Sequence, residues 1–116
     1  MLLKLYNFIL YKGDTGDLVT SDKYLNFKWL NPDCNILFSV TRQGKAAVCH
    51  FTFDKKGLRK LKQAANEWCE FCFWLFEWCK MIIGIIVKPS IARFVERCGF
   101  QYIGSFGNKR IYVRRP

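Results

Sequence analysis

Histidine, proline and acidic residues are scarce in this 116-residue sequence, which has one histidine, three prolines and nine carboxylates. No internal repeat, low-complexity tract or interdomain linker is visible, so the sequence predicts one domain over residues 1–116.

The only close cysteine pair is Cys69 and Cys72, and a zinc finger or ribbon needs a second pair of ligands. We therefore expect no metal and interpret this pair as core thiols.

Long uninterrupted apolar runs are also few. Met1–Leu10 contains a short apolar run without a small-residue cleavage site, so we expect no secretory signal. The six cysteines are then expected to be reduced, in a cytoplasmic protein. Trp68–Val87 is mostly apolar, but Glu70, Glu77 and Lys80 interrupt it, and each would cost roughly 2.5–3.5 kcal/mol near the centre of a membrane span. The sequence therefore predicts no transmembrane segment.

Basic residues outnumber acidic ones by 19 to nine, which gives a formal net charge of +10. This charge indicates an anionic partner: cofactor phosphates, nucleic acid, an acidic protein or an anionic membrane. A solvated face that aids solubility explains it equally well. Twelve of the 19 basic residues form three groups: Lys55, Lys56, Arg59, Lys60 and Lys62; Lys88, Arg93 and Arg97; and Lys109, Arg110, Arg114 and Arg115.

The first third of the chain gives weaker signals than the rest. Lys4–Tyr11 is rich in residues that favour strands and predicts a first strand. Ser21 or Asp22 would cap a short helix that runs to Leu30. The clearest hairpin signal follows, with strands at residues 35–41 and 45–53 around a turn that contains glycine.

A long helix is predicted after Asp54, which can cap it. One apolar stripe has three/four spacing: Leu58, Leu61, Ala65, Trp68, Cys72, Phe76 and Cys79. A second stripe, Phe71, Trp74 and Trp78, makes the end of the helix apolar nearly all round. This second stripe is either core or a contact surface for a partner or a membrane.

The C-terminal third predicts a strand, a helix and a hairpin in succession. Met81–Val87 is typical of a strand buried on both faces. Apolar residues from Ile91 to Cys98 then recur at helical spacing, and Gly99 stands where a helix C-cap is expected. Two extended runs around a turn at residues 105–108 complete a terminal hairpin.

The segments IIGIIVKPS, IARFVERCGF and KKGLRKL resemble the GCN5-related N-acetyltransferase (GNAT) superfamily. The resemblance covers roughly residues 46–113 and is nearest to the short, divergent GNAT-like proteins of podophages, which implies a phage-encoded protein. It implies an α+β fold: a mixed, mostly antiparallel sheet with a long central helix and a C-terminal strand-helix-hairpin. It further implies acetyl-CoA as cofactor and an amine as acetyl acceptor.

The start of the long helix is the predicted site for the cofactor pyrophosphate. A helix N-terminus offers backbone N–H groups and a positive dipole end, and basic side chains add charge. The resemblance places Val87 and Lys88 beside the thioester. It assigns the pyrophosphate to a loop made of Lys55, Lys56, Gly57, Leu58, Arg59 and Lys60. The family's second loop glycine or alanine is absent here.

Two further residues are candidates for chemistry. His50 would act as a general base toward an amine, because histidine changes charge near neutral pH, or it is an ordinary hydrogen-bonded residue. Ser90 would orient a thiol or water, or merely cap the helix. The position at which the family often has a proton-donating tyrosine holds Val95, and valine cannot donate a proton.

Two functions stay open on these residues. The first is acetyl transfer from acetyl-CoA to an amine. The second is a catalytically silent GNAT fold that binds a host protein, a virion component or nucleic acid. For nucleic acid, the terminal hairpin offers interleaved basic and aromatic residues, as single-strand binding requires, although a charged hairpin is equally typical of a soluble edge strand.

Overall fold

The computed structural model describes residues 6–116, in which seven strands form one mixed sheet with two α-helices packed on one face. The sheet order is β1-β2-β3-β4-β5-β7-β6. The strands are β1 (Phe8–Leu10), β2 (Leu25–Trp29), β3 (Ile36–Gln43), β4 (Ala46–Phe53), β5 (Met81–Ile86), β6 (Gln101–Phe106) and β7 (Lys109–Arg114); the helices are α1 (Leu61–Leu75) and α2 (Pro89–Arg97), with a short 3₁₀ helix at Gly57–Lys60. This arrangement confirms the predicted fold class.

The N-terminal half of the sheet is antiparallel from β1 to β4. The predicted hairpin is confirmed as β3 and β4, and its turn is made by Gly44, whose φ of 64° suits a residue without a Cβ. The predicted first strand corresponds to β1; Lys4 and Leu5 from that prediction lie outside the described residues.

The predicted helix from Ser21 or Asp22 to Leu30 is wrong, because this stretch contains strand β2. Phe27 and Trp29 are buried, while Asn26 and Lys28, which alternate with them along the strand, are partly exposed. That period of two fits a strand, and β2 pairs with β3 over Leu25–Lys28. Pairing with β3 therefore determined the secondary structure of this segment, although its local capping signals favoured a helix.

The long helix α1 crosses over the sheet and makes β4 and β5 a parallel pair. Its inward face includes Leu61, Ala64, Trp68 and Cys72, all buried. Trp68 stacks on Phe38 of β3, with ring centroids 4.7 Å apart and an interplanar angle of 11°. Within the predicted stripe, Leu61, Trp68 and Cys72 thus lie in the core. The prediction is wrong at its ends, because Leu58 precedes α1 and is 60% exposed, while Phe76 and Cys79 follow the helix.

The second aromatic stripe is divided between core and surface. Phe71 is buried and packs on Phe8 and Phe27, whereas Trp74 is 61% exposed. Trp78 lies beyond the helix, half-buried, with the Arg42 guanidinium 4.9 Å from its ring centroid. Within residues 6–116, no helix is long and apolar enough to cross a membrane.

The C-terminal strand, helix and hairpin are confirmed as elements. The predicted burial of the strand on both faces is wrong, because only Ile82 and Ile86 of β5 are buried and Val87 lies after the strand, exposed.

Helix α2 ends at Arg97 with Cys98 as its C-cap, and Gly99 follows with a φ of 85°. The Phe100 N–H donates to the Val95 carbonyl at 3.1 Å, and the Gly99 N–H donates to the Glu96 carbonyl. This is a Schellman cap, which the Gly-Phe pair predicted. The cap returns the chain to the sheet as the β6–β7 hairpin, next to β5.

Candidate active site

Strands β4 and β5 separate toward their carboxyl ends. Their parallel pairing runs from Ala46 opposite Met81 to Cys49 opposite Gly84 and stops there, although β4 continues to Phe53 and β5 to Ile86. The two ends therefore diverge, and their facing backbone groups do not pair with each other. A gap of this kind inside a sheet can accept an extended ligand.

A cleft of about 540 Å³ lies where the two strands diverge. Cys49, Phe51 and Phe53 pack toward the helices, so the alternation of a strand places His50 and Thr52 on the opposite face. Side chains from both faces line the cleft, and it therefore passes through the sheet. Its wall is mostly apolar, and the charged residues that line it are Asp17 and Lys88.

His50 lies on the face of the sheet opposite the helices. It is half-buried, its ring is 5.7 Å from that of Tyr24, and it lines the cleft. Burial, and secondly the positive charge of Lys109, lower the pKa of His50 from its ordinary 6.5. The imidazole is therefore neutral at neutral pH and able to accept a proton.

Val87 and Lys88 also line the cleft, as the resemblance implied for residues beside the thioester. Both are exposed and directly follow β5. Ser90 does not line the cleft: it is exposed in the first turn of α2, whose N-cap is Lys88. The role of Ser90 in orienting a thiol or water stays a prediction. The alternative, that Ser90 is the N-cap of the helix, is wrong because Lys88 holds that position.

The basic loop, residues 55–60, follows Phe53 and Asp54 at the end of the cleft. Asp54 organises it: Oδ1 accepts the Gly57 N–H at 2.8 Å and Oδ2 accepts the Asn35 N–H at 3.1 Å. Gly57 is buried, and a Cβ there would meet Ile36 Cγ1 at 2.9 Å. Protein packing, rather than the approach of a ligand, therefore requires this glycine.

The side chains of the loop point to solvent. Lys55, Lys56, Leu58, Arg59 and Lys60 are all exposed. Lys55 and Lys56 line a separate depression beside Asp33 and Asp54, and none of the five lines the cleft. The loop therefore offers positive charge next to the cleft, with one carboxylate already bonded to the Gly57 N–H.

No tyrosine lines the cleft among the described residues. Val95, in the family's tyrosine position, is buried in its wall. Tyr112 is nearby on β7, but its hydroxyl donates to Glu96 Oε1 at 3.0 Å, and burial raises its pKa. The structure thus offers no phenol as proton donor at this place.

Among the lining residues that were not predicted as functional, Asp17, Thr52 and Trp68 carry a side-chain oxygen or nitrogen. Trp68 was read only as core, and it is 2% exposed, but its Nε1–H has no hydrogen-bond partner. An unpaired buried donor costs roughly 1–3 kcal/mol. No local motif marks these three residues, because they reach the cleft from the loop before β2, from β4 and from α1.

The cysteine pair on α1 is buried, as predicted. Desolvation raises the pKa of Cys69 to about 12 and that of Cys72 well above the ordinary thiol value. Both groups are therefore neutral thiols, and a thiolate is the form that binds metal. Among the described residues, no group of three or more histidine, cysteine or acidic side chains is placed to hold a metal ion.

The strand order, the diverging parallel pair and the Gly-Phe helix end define a GNAT-type fold. Solved structures share it: a Bacillus subtilis acetyltransferase in complex with CoA has a TM-score of 0.72 and 12% identity, over 97% of this chain and 99% of that one. An acetyltransferase of the GNAT family from Bacillus anthracis has a TM-score of 0.57 and 18% identity, over 80% of this chain and 66% of that one.

A variant of the Vibrio cholerae spermidine N-acetyltransferase SpeG has a TM-score of 0.66 and 14% identity. The match covers 81% of this chain and 66% of that enzyme, so the chain spans just under two thirds of its length. No protein-family model and no curated protein sequence matches the chain. The predicted resemblance to GNAT proteins is therefore confirmed at the level of the fold.

Proposed function

We propose that the chain is an N-acetyltransferase that uses acetyl-CoA and acetylates an amine. The observation that carries this proposal is the cleft between the diverging ends of β4 and β5. It has a basic loop at its end and a neutral histidine on its far wall. The CoA complex of the Bacillus subtilis acetyltransferase and the spermidine acetyltransferase activity named for SpeG support the choice of cofactor and acceptor.

The residues present fit CoA in three respects. The unpaired backbone beyond Cys49 and Gly84 leaves hydrogen-bonding groups for a pantetheine arm. The apolar wall suits the uncharged part of that arm, and the cleft volume is within the range of cofactor sites. Lys55, Lys56, Arg59 and Lys60 would attract the pyrophosphate at the end of the cleft.

When bound, acetyl-CoA supplies the acetyl group as a thioester. His50 would take the proton that the amine nitrogen loses as the C–N bond forms and the C–S bond breaks. The exposed carboxylate of Asp17 lines the cleft with His50 and would attract a cationic amine. Val87 and Lys88 would flank the thioester. No side chain is assigned as the acid that protonates the departing thiolate.

A second candidate is a catalytically silent GNAT fold that binds a host or virion protein or nucleic acid. Three departures from the family favour it: Arg59 in place of a small loop residue, Val95 in place of tyrosine, and the Asp54 carboxylate in the loop. The terminal hairpin offers exposed aromatic residues, with Phe106 82% exposed, next to Lys109 and Arg110. A phage origin and a cytoplasmic or virion-associated location stay predictions.

Calorimetric titration with acetyl-CoA and with desulfo-CoA separates the two candidates. Saturable binding of both ligands, followed by thiol release in the presence of an amine such as spermidine, is the result expected of an acetyltransferase. Binding without thiol release across a panel of primary amines would favour a silent fold that retains the cofactor. Absence of binding by either ligand would refute the proposed function.

A further inference from the structure

Trp68 carries an unsatisfied polar group at the centre of the molecule. Among the buried side-chain nitrogen and oxygen atoms of residues 6–116, its Nε1 is the one without a hydrogen-bond partner. Trp29, equally buried, shows the usual arrangement, since its Nε1–H donates to Glu67 Oε1 at 3.3 Å. Buried donors are almost always paired, so an exception of this kind needs an explanation.

The position of Trp68 supplies that explanation. Its side chain lines the cleft on the helical face, beside Phe38, Phe51 and Ala65. Stacking on Phe38 and ring contacts with Phe8 hold the indole in one orientation. Nε1 itself is closed to solvent, so an acceptor reaches it only when a ligand in the cleft shifts a neighbouring side chain. A donor behind an otherwise apolar stretch of the wall is then suited to recognising one acceptor atom of that ligand.

The indole N–H is a donor only, so the matching ligand atom is an acceptor. A phosphate would be poorly accommodated beside aromatic rings, because a buried charge needs a countercharge. The pantetheine arm of CoA is uncharged and carries amide carbonyls, which are good acceptors. Of the parts of CoA, this arm therefore matches the wall best.

We propose that the Nε1–H of Trp68 donates a hydrogen bond to an amide carbonyl of the pantetheine arm of CoA. This inference rests on the proposed function, because it requires CoA in the cleft. It adds a cofactor-binding residue from the middle of α1, about two helical turns after the basic loop. The bond would fix the arm along the helical wall and direct the thioester toward the face that carries His50.

The test uses the indole N–H resonance of Trp68 in a ¹⁵N-labelled sample of the complete chain. The resonance is assigned by its loss in Trp68→Phe, and calorimetry shows in parallel whether CoA binds. A downfield shift and slowed solvent exchange of this N–H on saturation with CoA are expected, because the proton enters a hydrogen bond. The indole resonance of Trp74, exposed on the surface, should stay in place.

Affinities of two variants complete the test. Trp68→Phe removes the donor and should weaken CoA binding about tenfold, the usual scale for one lost hydrogen bond. Trp74→Phe, which lies outside the cleft, should bind CoA as the unmodified chain does. If Trp68→Phe does not fold, triple-resonance spectra of the unmodified chain assign the Trp68 indole N–H, and its shift on saturation with CoA decides alone.

The outcomes separate this inference from the proposed function. CoA binding without any change in the Trp68 N–H resonance would overturn the role of Trp68 and leave the proposed function standing. No detectable CoA binding in the calorimeter would overturn both.

Discussion

His50 lies where its charge state affects both folding and the proposed chemistry. In the unfolded chain a histidine takes up a proton near pH 6.5. In the folded chain, burial and Lys109 lower the pKa of His50 below that value. Protons therefore bind the unfolded state first as the pH falls, and the stability contributed by the neutral ring is lost from about pH 6.5 downward to the native pKa.

We predict that His50→Gln makes the free energy of unfolding depend less on pH below about 6.5. Denaturant unfolding at roughly pH 7.5 and 5.5 should show a smaller loss of stability in the variant than in the unmodified chain. For the proposed acetyl transfer, the same variant should lower kcat/KM by about 10²–10⁴ and remove the acid limb of its pH profile. An equal loss of stability on acidification in both proteins would refute the assigned pKa shift.

Gly57 is required by packing and not by a left-handed backbone. A Cβ at this residue would lie 2.9 Å from Ile36 Cγ1 and 3.0 Å from Asp54 Oδ1. We predict that Gly57→Ala destabilises the fold by roughly 1–3 kcal/mol, as overpacking does. The control is Gly104→Ala on the edge strand, where a Cβ meets nothing within 4 Å.

Denaturant midpoints of the two glycine variants measure this difference. Similar midpoints for Gly57→Ala and Gly104→Ala would contradict the packing explanation. The result also affects how the loop is probed: a large residue at Gly57 would disturb the protein itself, so loss of CoA binding there would not report on the cofactor.

At the scale of elements, the C-terminal strand, helix and hairpin were predictable because each signal is local. A continuous apolar run, an amphipathic helix and a Gly-Phe end need only neighbouring residues to be recognised. β2 was not predictable in the same way, because its identity depends on pairing with β3. Likewise, the divergence of β4 and β5 depends on two strands more than 25 residues apart in sequence.

The loop between β4 and α1 combines a good anion-binding position with an acidic residue. Asp54 accepts the N–H of Gly57, so its negative charge lies where a pyrophosphate would approach. We predict that Asp54→Asn strengthens CoA binding by about three- to tenfold, because it removes a repulsive charge and keeps an acceptor oxygen for the Gly57 N–H, although the bond from the Asn35 N–H is lost. Asp33→Asn, in the neighbouring turn, is the control for a general change in net charge.

Titrations with CoA and with pantetheine show whether the removed charge of Asp54 causes the stronger binding. The gain in Asp54→Asn should be seen with CoA and be absent with pantetheine, which has no pyrophosphate. Weaker CoA binding in this variant would show that the Asp54 carboxylate supports the loop more than it repels the ligand.

At the scale of the whole molecule, the net charge is +10, but few of the basic residues that produce it line the cleft. The basic loop, α2 and the terminal hairpin carry most of the charge, and the charged residues lining the cleft are Asp17 and Lys88. Such a distribution favours long-range attraction of an anionic cofactor into a mostly apolar site.

The sequence predicted the site only where residues adjoin the two diverging strands. His50, Val87 and Lys88 could be found because they lie within or directly after those strands. Asp17 and Trp68 could not, since a distant loop and the middle of a helix bring them to the cleft. Composition alone made Trp68 indistinguishable from the other core aromatic residues.

The central claim, that CoA binds between β4 and β5, is tested most directly at Gly84. This glycine lines the cleft, and a Cβ there would meet Phe100 at an ordinary 3.8 Å, so Gly84→Val should fold normally and fill the cleft. Gly104→Val adds the same side chain to the edge strand, in open space. The measurement is calorimetric titration of both variants and the unmodified chain with CoA.

We predict that Gly84→Val binds CoA at least about tenfold more weakly than the unmodified chain. Gly104→Val should bind as the unmodified chain does, and all three proteins should have similar unfolding midpoints. Unchanged CoA affinity in Gly84→Val would contradict the claim and place the cofactor outside this cleft.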